Sequence, residues 1–547
     1  MIYATTLLMS VFITVSLMPI TVKLATRYQM VDFPNPRKVH VRPVPRIGGL
    51  AMAAGAFLPI IIWMPSDQFV RAFMASTGTL VLFGFVDDMK GLGYKTKFAG
   101  QILAAVIIVV FGGVRIDSMG SLLPGGMQLP GWFSFPFTLV AIVGVTNAVN
   151  MADGLDGLAG GISLLVLCCI GYLAHIQGNT VVILLSLALA GAIFGFLRYN
   201  TYPANIFMGD TGSQLLGFAS VVLAMKVTQG DTPFSPVLPL IILGFPILDT
   251  LTVMAERIRE GRSPFSPDKN HFHHRLMGLG LSHTEAVFAI YLVQAAMIVS
   301  AILFKYYSDW ALVISYAVFS AVVISAFAVA GRKGYRFSWH PVIGQMIRGR
   351  LRRIRDDNWI TRISFALSSI IVPVLLLLSC LLPANIPGYV SFIAVCFSLL
   401  IVAVRLLWKG QMGFCLRFVV YLTVPLVLYL IREGRGAWHG EIMFTLYHLS
   451  FGLTALFVLL SVKYANNTKA FRMTTMDFLV IFIAVVVPNL PDQSIQNYHL
   501  GLLAVEIIVL LFSYEVLITE RRGRLDALTA STLLALTLLA IRGGAGL

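Results

Sequence analysis

The chain has 547 residues, 58% of them hydrophobic and only 12% charged, whereas soluble domains carry about 25% charged residues. That composition excludes an ordinary soluble enzyme. The net charge of +15 has a membrane explanation, basic edges lying against anionic lipid headgroups, and requires no nucleic-acid partner.

Apolar runs of about 17 to 22 residues recur from end to end, each long enough to cross a hydrocarbon core of roughly 30 Å as a helix. About eighteen such spans predict an all-α polytopic membrane protein. About eleven fall within a catalytic module at residues 1–331 and about seven in a second module at residues 361–547. A basic cytoplasmic hinge at 332–360 joins them, carrying Arg332, Lys333, Arg336, Arg348, Arg350, Arg352, Arg353 and Arg355.

The first run, Ile2 to Val22, has no positive charge ahead of it and Lys23 and Arg27 behind it, which reads as an uncleaved helix with its N-terminus outside. Threading the spans from there leaves only Arg71, Arg115, Lys226, Lys305, Arg432, Arg435 and Arg542 outside, of 40 basic residues. That bias matches the accumulation of Lys and Arg on the cytoplasmic side of short loops. No loop reaches the roughly 50 residues of a soluble domain, so catalysis belongs at the membrane surface, which favours a lipid substrate. The five cysteines, Cys168, Cys169, Cys380, Cys396 and Cys415, lie in or beside apolar runs without metal or disulfide spacing.

Along the inner face, the first polar segment is RKVHVRPVPRIGG, with Arg37, Lys38, His40, Arg42 and Arg46 ahead of Gly48 and Gly49. It is either a topological signal or an anion-binding stretch. Asp87 and Asp88 follow at the inner end of the third span, with Lys90, Lys95 and Lys97 beyond them. Carboxylates are expensive in lipid unless paired or wet. Neighbours on a helix point about 100° apart, which gives the two aspartates different roles.

The segment TNAVNMADGLDGLAGG spaces Asn147, Asn150, Asp153 and Asp156 three residues apart, with Gly154 and Gly157 to turn the chain. Hard oxygen donors gathered at a helix end suit Mg²⁺. In FMGDTGS, Asp210 between Gly209 and Gly212 reads as an N-cap or as a second Mg²⁺ ligand beside free backbone N–H groups that a phosphate can use. Asp249 sits near the middle of the ninth span, which leads to His271, His273, His274 and Arg275, flanked by Asp268 and Lys269. These are donors for phosphate oxygens. Zinc is the competing reading, but no cysteine or second histidine cluster lies nearby.

Together these loops describe a metal and diphosphate site, because phosphoryl transfer needs charge neutralisation and positioning more than covalent chemistry. The residues resemble the polyprenyl-phosphate N-acetylhexosamine-1-phosphate transferases. The resemblance rests on HVRPVPRIGG, FVDDMKGL, NAVNMADGLDGLAGG, FMGDTGS and DKNHFHHRL in that order, within the first module.

The resemblance implies transfer of a sugar 1-phosphate from a UDP-N-acetylhexosamine to undecaprenyl phosphate. The products are a lipid-linked diphosphosugar and UMP, with Mg²⁺, or Mn²⁺ in its place, as cofactor. It implies Asn150 and Asp210 as metal ligands and Asp87, Asp88, Asp153 and Asp156 in catalytic or nucleotide-positioning roles. His40, Arg46, Lys97, Asn147, His271, His273, His274 and Arg275 would contact substrate. His-Phe-His-His-Arg, where the peptidoglycan branch has three consecutive histidines, points to the GlcNAc-using branch of envelope polysaccharide synthesis, including O-antigen and lipopolysaccharide. A bacterial inner-membrane location, a cytoplasmic active site and a homodimer are further expectations of the same kind.

Nothing assigns chemistry to the second module, where Glu506 and Glu515 share one span and Arg432, Glu433, Arg435, His439 and Glu441 lie in or beside one outside loop. A different class, the ion-coupled transporter, would place its carboxylates near the midplane between repeats. Here they lie at inner helix ends and no repeat is visible.

Overall fold

In lipid a backbone must satisfy its own hydrogen bonds, so apolar runs of this length fold as helices. The computed structural model describes residues 2–33, 43–64, 67–263, 270–332, 359–383, 385–433, 441–464, 500–520 and 525–544. Nineteen α-helices occur among them. Eleven are long and apolar enough to cross a membrane, and the chain is a multi-pass, all-α membrane protein. Contacts divide it into two compact units, one largely within residues 1–338 and the other largely within 339–547. The basic hinge lies almost wholly outside the described residues, as does the apolar run near residue 480.

The first unit runs α1 (Ile2–Arg27), α2 (Gly48–Trp63), α3 (Gln68–Lys90), α4 (Tyr94–Gly112), α5 (Gly131–Met151), α6 (Leu158–Ile176), α7 (Thr180–Asn200) and α8 (Gly209–Thr228). It continues with α9 (Leu238–Ile242), α10 (Gly244–Arg259), α11 (Phe272–Gly278), α12 (His283–Leu303) and α13 (Asp309–Arg332). Two short antiparallel strands, β1 (Val31–Asp32) and β2 (Val44–Pro45), bring Arg46 back beside the end of α1.

Helix α8 is the centre of this unit. It packs against α2, α3, α5 and α6 and is buried along almost its whole length. Because it never faces lipid it carries Thr211, Ser213, Gln214 and Ser220 on buried positions, and it is not among the eleven apolar spans. Small residues let the backbones close in, as is usual between membrane helices. A Cβ on Gly49 would lie 2.2 Å from the Gly212 nitrogen, and one on Gly84 2.6 Å from Thr211 Cα.

The apolar run expected as one ninth span is broken. Helix α9 stops and α10 begins either side of Leu243 (φ −99°, ψ 15°). Asp249 therefore stands in the second turn of a new helix rather than in mid-span.

The second unit contains helices Trp359–Leu381, Gly388–Leu407, Met412–Glu433, Glu441–Tyr464, Leu500–Glu520 and Asp526–Gly544 around its own apolar core of residues such as Leu376, Leu416, Val420 and Tyr514. Two carboxylates of its helix Leu500–Glu520 meet basic side chains. Arg417 donates to both oxygens of Glu515 at 2.8 and 2.9 Å, and His448 pairs with Glu506. His439 and Arg435 lie outside the described residues.

Candidate active site

The chain alternates direction through the first unit. The C-terminal ends of α3, α5 and α7 therefore gather with the N-terminal ends of α4, α6, α8 and α12, and the described residues of the polar motifs lie at that end. A cavity of about 870 Å³ opens there, lined by Arg46, Asn150, Asp153, Asp156, Asp210, His274 and His283 among others.

Asp87 and Asp88 diverge as adjacent helical residues must. Asp88, whose side chain is 0% exposed, reaches the start of α8. There it accepts from the N–H of Asp210 (2.9 Å), the N–H of Thr211 (3.1 Å) and the Thr211 hydroxyl (2.7 Å). Hydrogen bonds to a charged group contribute roughly 1.5–3 kcal/mol each, and the positive end of the helix dipole adds to them.

Asp88 is thus a cap supplied from another helix, and it holds Asp210 in place. This corrects one expectation: two amides at the start of α8 are already taken by a carboxylate and do not await a phosphate. Gly209 makes the approach possible, with φ +68° and a Cβ position 2.1 Å from the Arg46 carbonyl oxygen.

Asp87 is also buried, and it turns to the end of its own helix and to α4. Its carboxylate accepts from Leu92 N–H at 2.6 Å where α3 ends in a left-handed Gly91 (φ 67°), and it pairs with Lys97 at 2.6 Å. The same Lys97 ammonium lies 2.5 Å from Asp210, so one cation bridges two carboxylates from α3 and α8.

The asparagine and aspartate series separates in the structure. Asn150 accepts from the Ser213 hydroxyl at 2.9 Å, which links the end of α5 to α8 beside Asp210. Asn147 turns instead to α4, donating to Gln101 at 2.6 Å and to the Val143 carbonyl at 2.8 Å, and it is absent from the cavity wall. Asp153 and Asp156 follow the last helical turn of α5. Burial, with the Asp210 and Asp156 carboxylates near it, pushes Asp153 up to about 7, and Arg46 acts the other way. Asp156 accepts from Ala204 N–H at 2.9 Å.

The histidine segment is positioned from α10. Asp249 holds His271 Nδ1 at 2.8 Å and accepts from Phe272 N–H at 2.7 Å, so this carboxylate sets the start of α11. His273 packs against Gly154, where a Cβ would lie 2.3 Å from Nε2. Burial and the neighbouring His274 push His273 down to about 3, so it stays neutral. Only His274 of the three histidines lines the cavity. Arg275 is drawn away to Glu256 and the Asn270 carbonyl. His40, Asp268 and Lys269 lie outside the described residues.

His283 is the residue that sequence reasoning missed. It accepts the Asp156 N–H at 3.1 Å and stacks on Tyr202 with ring centroids 4.4 Å apart. Locally its segment reads as an ordinary helix start, with the Ser282–Glu285 capping box that the structure does show.

Residues 70–228 match glycosyl transferase family 4. The chain is 39% identical over 295 residues to a Bacillus subtilis protein named probable undecaprenyl-phosphate N-acetylglucosaminyl 1-phosphate transferase, covering 53% of this chain and 82% of that one. A Mycolicibacterium smegmatis decaprenyl-phosphate N-acetylglucosaminephosphotransferase is 39% identical over 303 residues, covering 49% of this chain and 74% of its own. The Escherichia coli K12 undecaprenyl-phosphate alpha-N-acetylglucosaminyl 1-phosphate transferase is 33% identical over 289 residues, covering 52% and 79%. With Asp87, Asp88, Asn150 and Asp210 gathered at one membrane face and relatives matched over most of their length, the chain belongs to the polyprenyl-phosphate sugar-1-phosphate transferases of glycosyl transferase family 4.

Proposed function

We propose that the chain transfers N-acetylglucosamine 1-phosphate from UDP-N-acetylglucosamine to undecaprenyl phosphate, on the cytoplasmic face of the bacterial inner membrane, as an early step of envelope polysaccharide synthesis. The observation that carries this reading is the convergence of Asn150, Asp153, Asp156 and Asp210 with Arg46 and His274 on one cavity at the edge of the lipid-facing helices. The relatives' names supply the sugar and the lipid class.

A divalent cation fits the donor set. Among the described residues no three His, Cys, Asp or Glu groups form a complete protein cage, while Asp210, with Asn150 beside it, offers hard oxygens at the cavity wall. That suits Mg²⁺, which is commonly held by one or two carboxylates together with waters and substrate phosphates. Lys97 already stands as a cation between Asp87 and Asp210. When bound, the metal neutralises diphosphate charge.

The phosphate monoester of the lipid has a second pKa near 6 and is mostly dianionic at pH 7, so no side chain needs to remove a proton from it. One of its oxygens attacks the β-phosphorus of the donor. A new P–O bond forms as the bond from that phosphorus to the bridging oxygen breaks, and UMP departs with the electron pair. Three donors on the Asp88 oxygens support a part in holding Asp210 rather than in taking a proton. Arg46 and Lys97 offset negative charge during approach, and Asp87 keeps Lys97 aimed at the site.

Membranes supplied with labelled UDP-N-acetylglucosamine and undecaprenyl phosphate should move label into lipid. Asp210→Ala should lower the rate by about a hundredfold or more, the scale of losing a preorganised electrostatic group. Full activity in that variant overturns the site assignment.

A further inference from the structure

Two stretches with no sequence relation form one wall of the cavity: the turn holding Asp153 and Asp156, and the segment from Tyr202 to Asn205 after α7. They are tied to each other by the Asp156 carboxylate, which accepts from Ala204 N–H at 2.9 Å. Both are also gripped by His283, from the first residue of α12. Its Nε2 accepts the Asp156 N–H at 3.1 Å, and its ring lies against Tyr202 with an interplanar angle of 25°. His283 is 7% exposed while Tyr202 is 49% exposed, so the imidazole is the buried anchor and the phenol ring the surface it supports.

The choice of residue is informative. An accepting Nε2 leaves the neutral ring's proton on Nδ1, and that buried Nδ1 has no hydrogen-bond partner among the described residues. A buried unsatisfied donor is unfavourable, and a phenylalanine would stack on Tyr202 without it. The position therefore needs the acceptor as well as the ring.

We propose that His283 is a positioning residue for the nucleotide-sugar donor, acting through Asp156 and Tyr202 to fix the wall on which the donor rests. This rests on the UDP-sugar reading above. His283 does not contact Asp87, Asp210 or Lys97 in any hydrogen bond or ion pair of the described residues, so it sets donor affinity and leaves the chemical step to those groups.

Steady-state kinetics of the full chain, with UDP-N-acetylglucosamine varied at saturating undecaprenyl phosphate, tests this. His283→Ala should raise the donor KM about tenfold, the scale of one lost hydrogen bond, with kcat within about twofold of wild type and the KM for lipid unchanged. His283→Gln, whose amide oxygen can accept the Asp156 N–H, should recover most of the affinity, whereas His283→Phe, which keeps only the stack, should not. An unchanged donor KM in His283→Ala, a loss confined to kcat, or equal rescue by Phe and Gln overturns the proposal.

Should the His283 variants fail to accumulate, Tyr202→Ala on the exposed side of the same wall should still raise donor KM severalfold. An unchanged value there overturns it as well. A wild-type chain that releases no UMP from the donor overturns the functional reading itself, whereas an active wild type with unaltered variants overturns only the role of His283.

Discussion

Asp87, Asp88 and Asp153 show how one residue type takes three states at one site. Asp88 is saturated by the start of α8, Asp87 is paired with Lys97, and Asp153 is half-buried at the cavity wall near the Asp210 and Asp156 carboxylates, with its pKa pushed up to about 7 from 3.8. A carboxyl with a raised folded-state pKa binds its proton in the folded protein before the unfolded one does, so the fold loses stability as pH rises between those two values. Asp153→Asn should therefore increase resistance to thermal inactivation of the ligand-free protein. The gain should be partial near pH 5 and complete above pH 7, as measured by half-inactivation temperature at both pH values. An equal effect at the two would contradict the raised pKa of this carboxyl.

The sequence distinguished the two adjacent aspartates because a helix turns about 100° per residue. It treated Asn147 and Asn150 alike, yet steps of three drift by about 60° each, and that drift carries Asn147 over to Gln101. The backbone N–H groups that bond to Asp88 and His283 lie over a hundred positions away in the chain, where no local pattern points to them.

At the scale of elements, the site depends on how closely α8 approaches its neighbours. Hydropathy revealed the lipid-facing helices and their alternation, but it understates α8, whose polar residues are buried against other helices. It also ran α9 and α10 together, because an apolar run does not reveal a break at Leu243. The glycines of α2 and α3 were readable as small residues, though not as the contacts that admit the Asp210 turn.

Gly49→Ala should therefore destabilise the protein by about 1–3 kcal/mol, the usual result of overpacking, and should displace Asp210. Gly144→Ala, whose Cβ would meet nothing within 4 Å, serves as the control and should be neutral or slightly stabilising. Detergent-solubilised yield and thermal inactivation would separate the two, and equal behaviour would mean that the α2–α8 contact is not tight.

For the molecule as a whole, the matched relatives account for about half of the chain, and the polar motifs account for one end of the first unit. The second unit keeps its own core and pairs Arg417 with Glu515 and His448 with Glu506. Charge bias along the sequence predicts a threading of the first unit that puts its polar motifs on inner loops. It said little about the second, where paired charges inside a bundle look the same in sequence as charges that meet a ligand.

The most direct test of the central claim uses the purified full-length chain with UDP-N-acetylglucosamine and undecaprenyl phosphate, following UMP and the lipid diphosphosugar together. UMP and lipid product should appear in equal amounts with Mg²⁺ present, and both should cease when a chelator removes it. Equal product with and without the metal would contradict the proposed cation site, and UMP release without any lipid-linked sugar would contradict transfer to the polyprenyl phosphate.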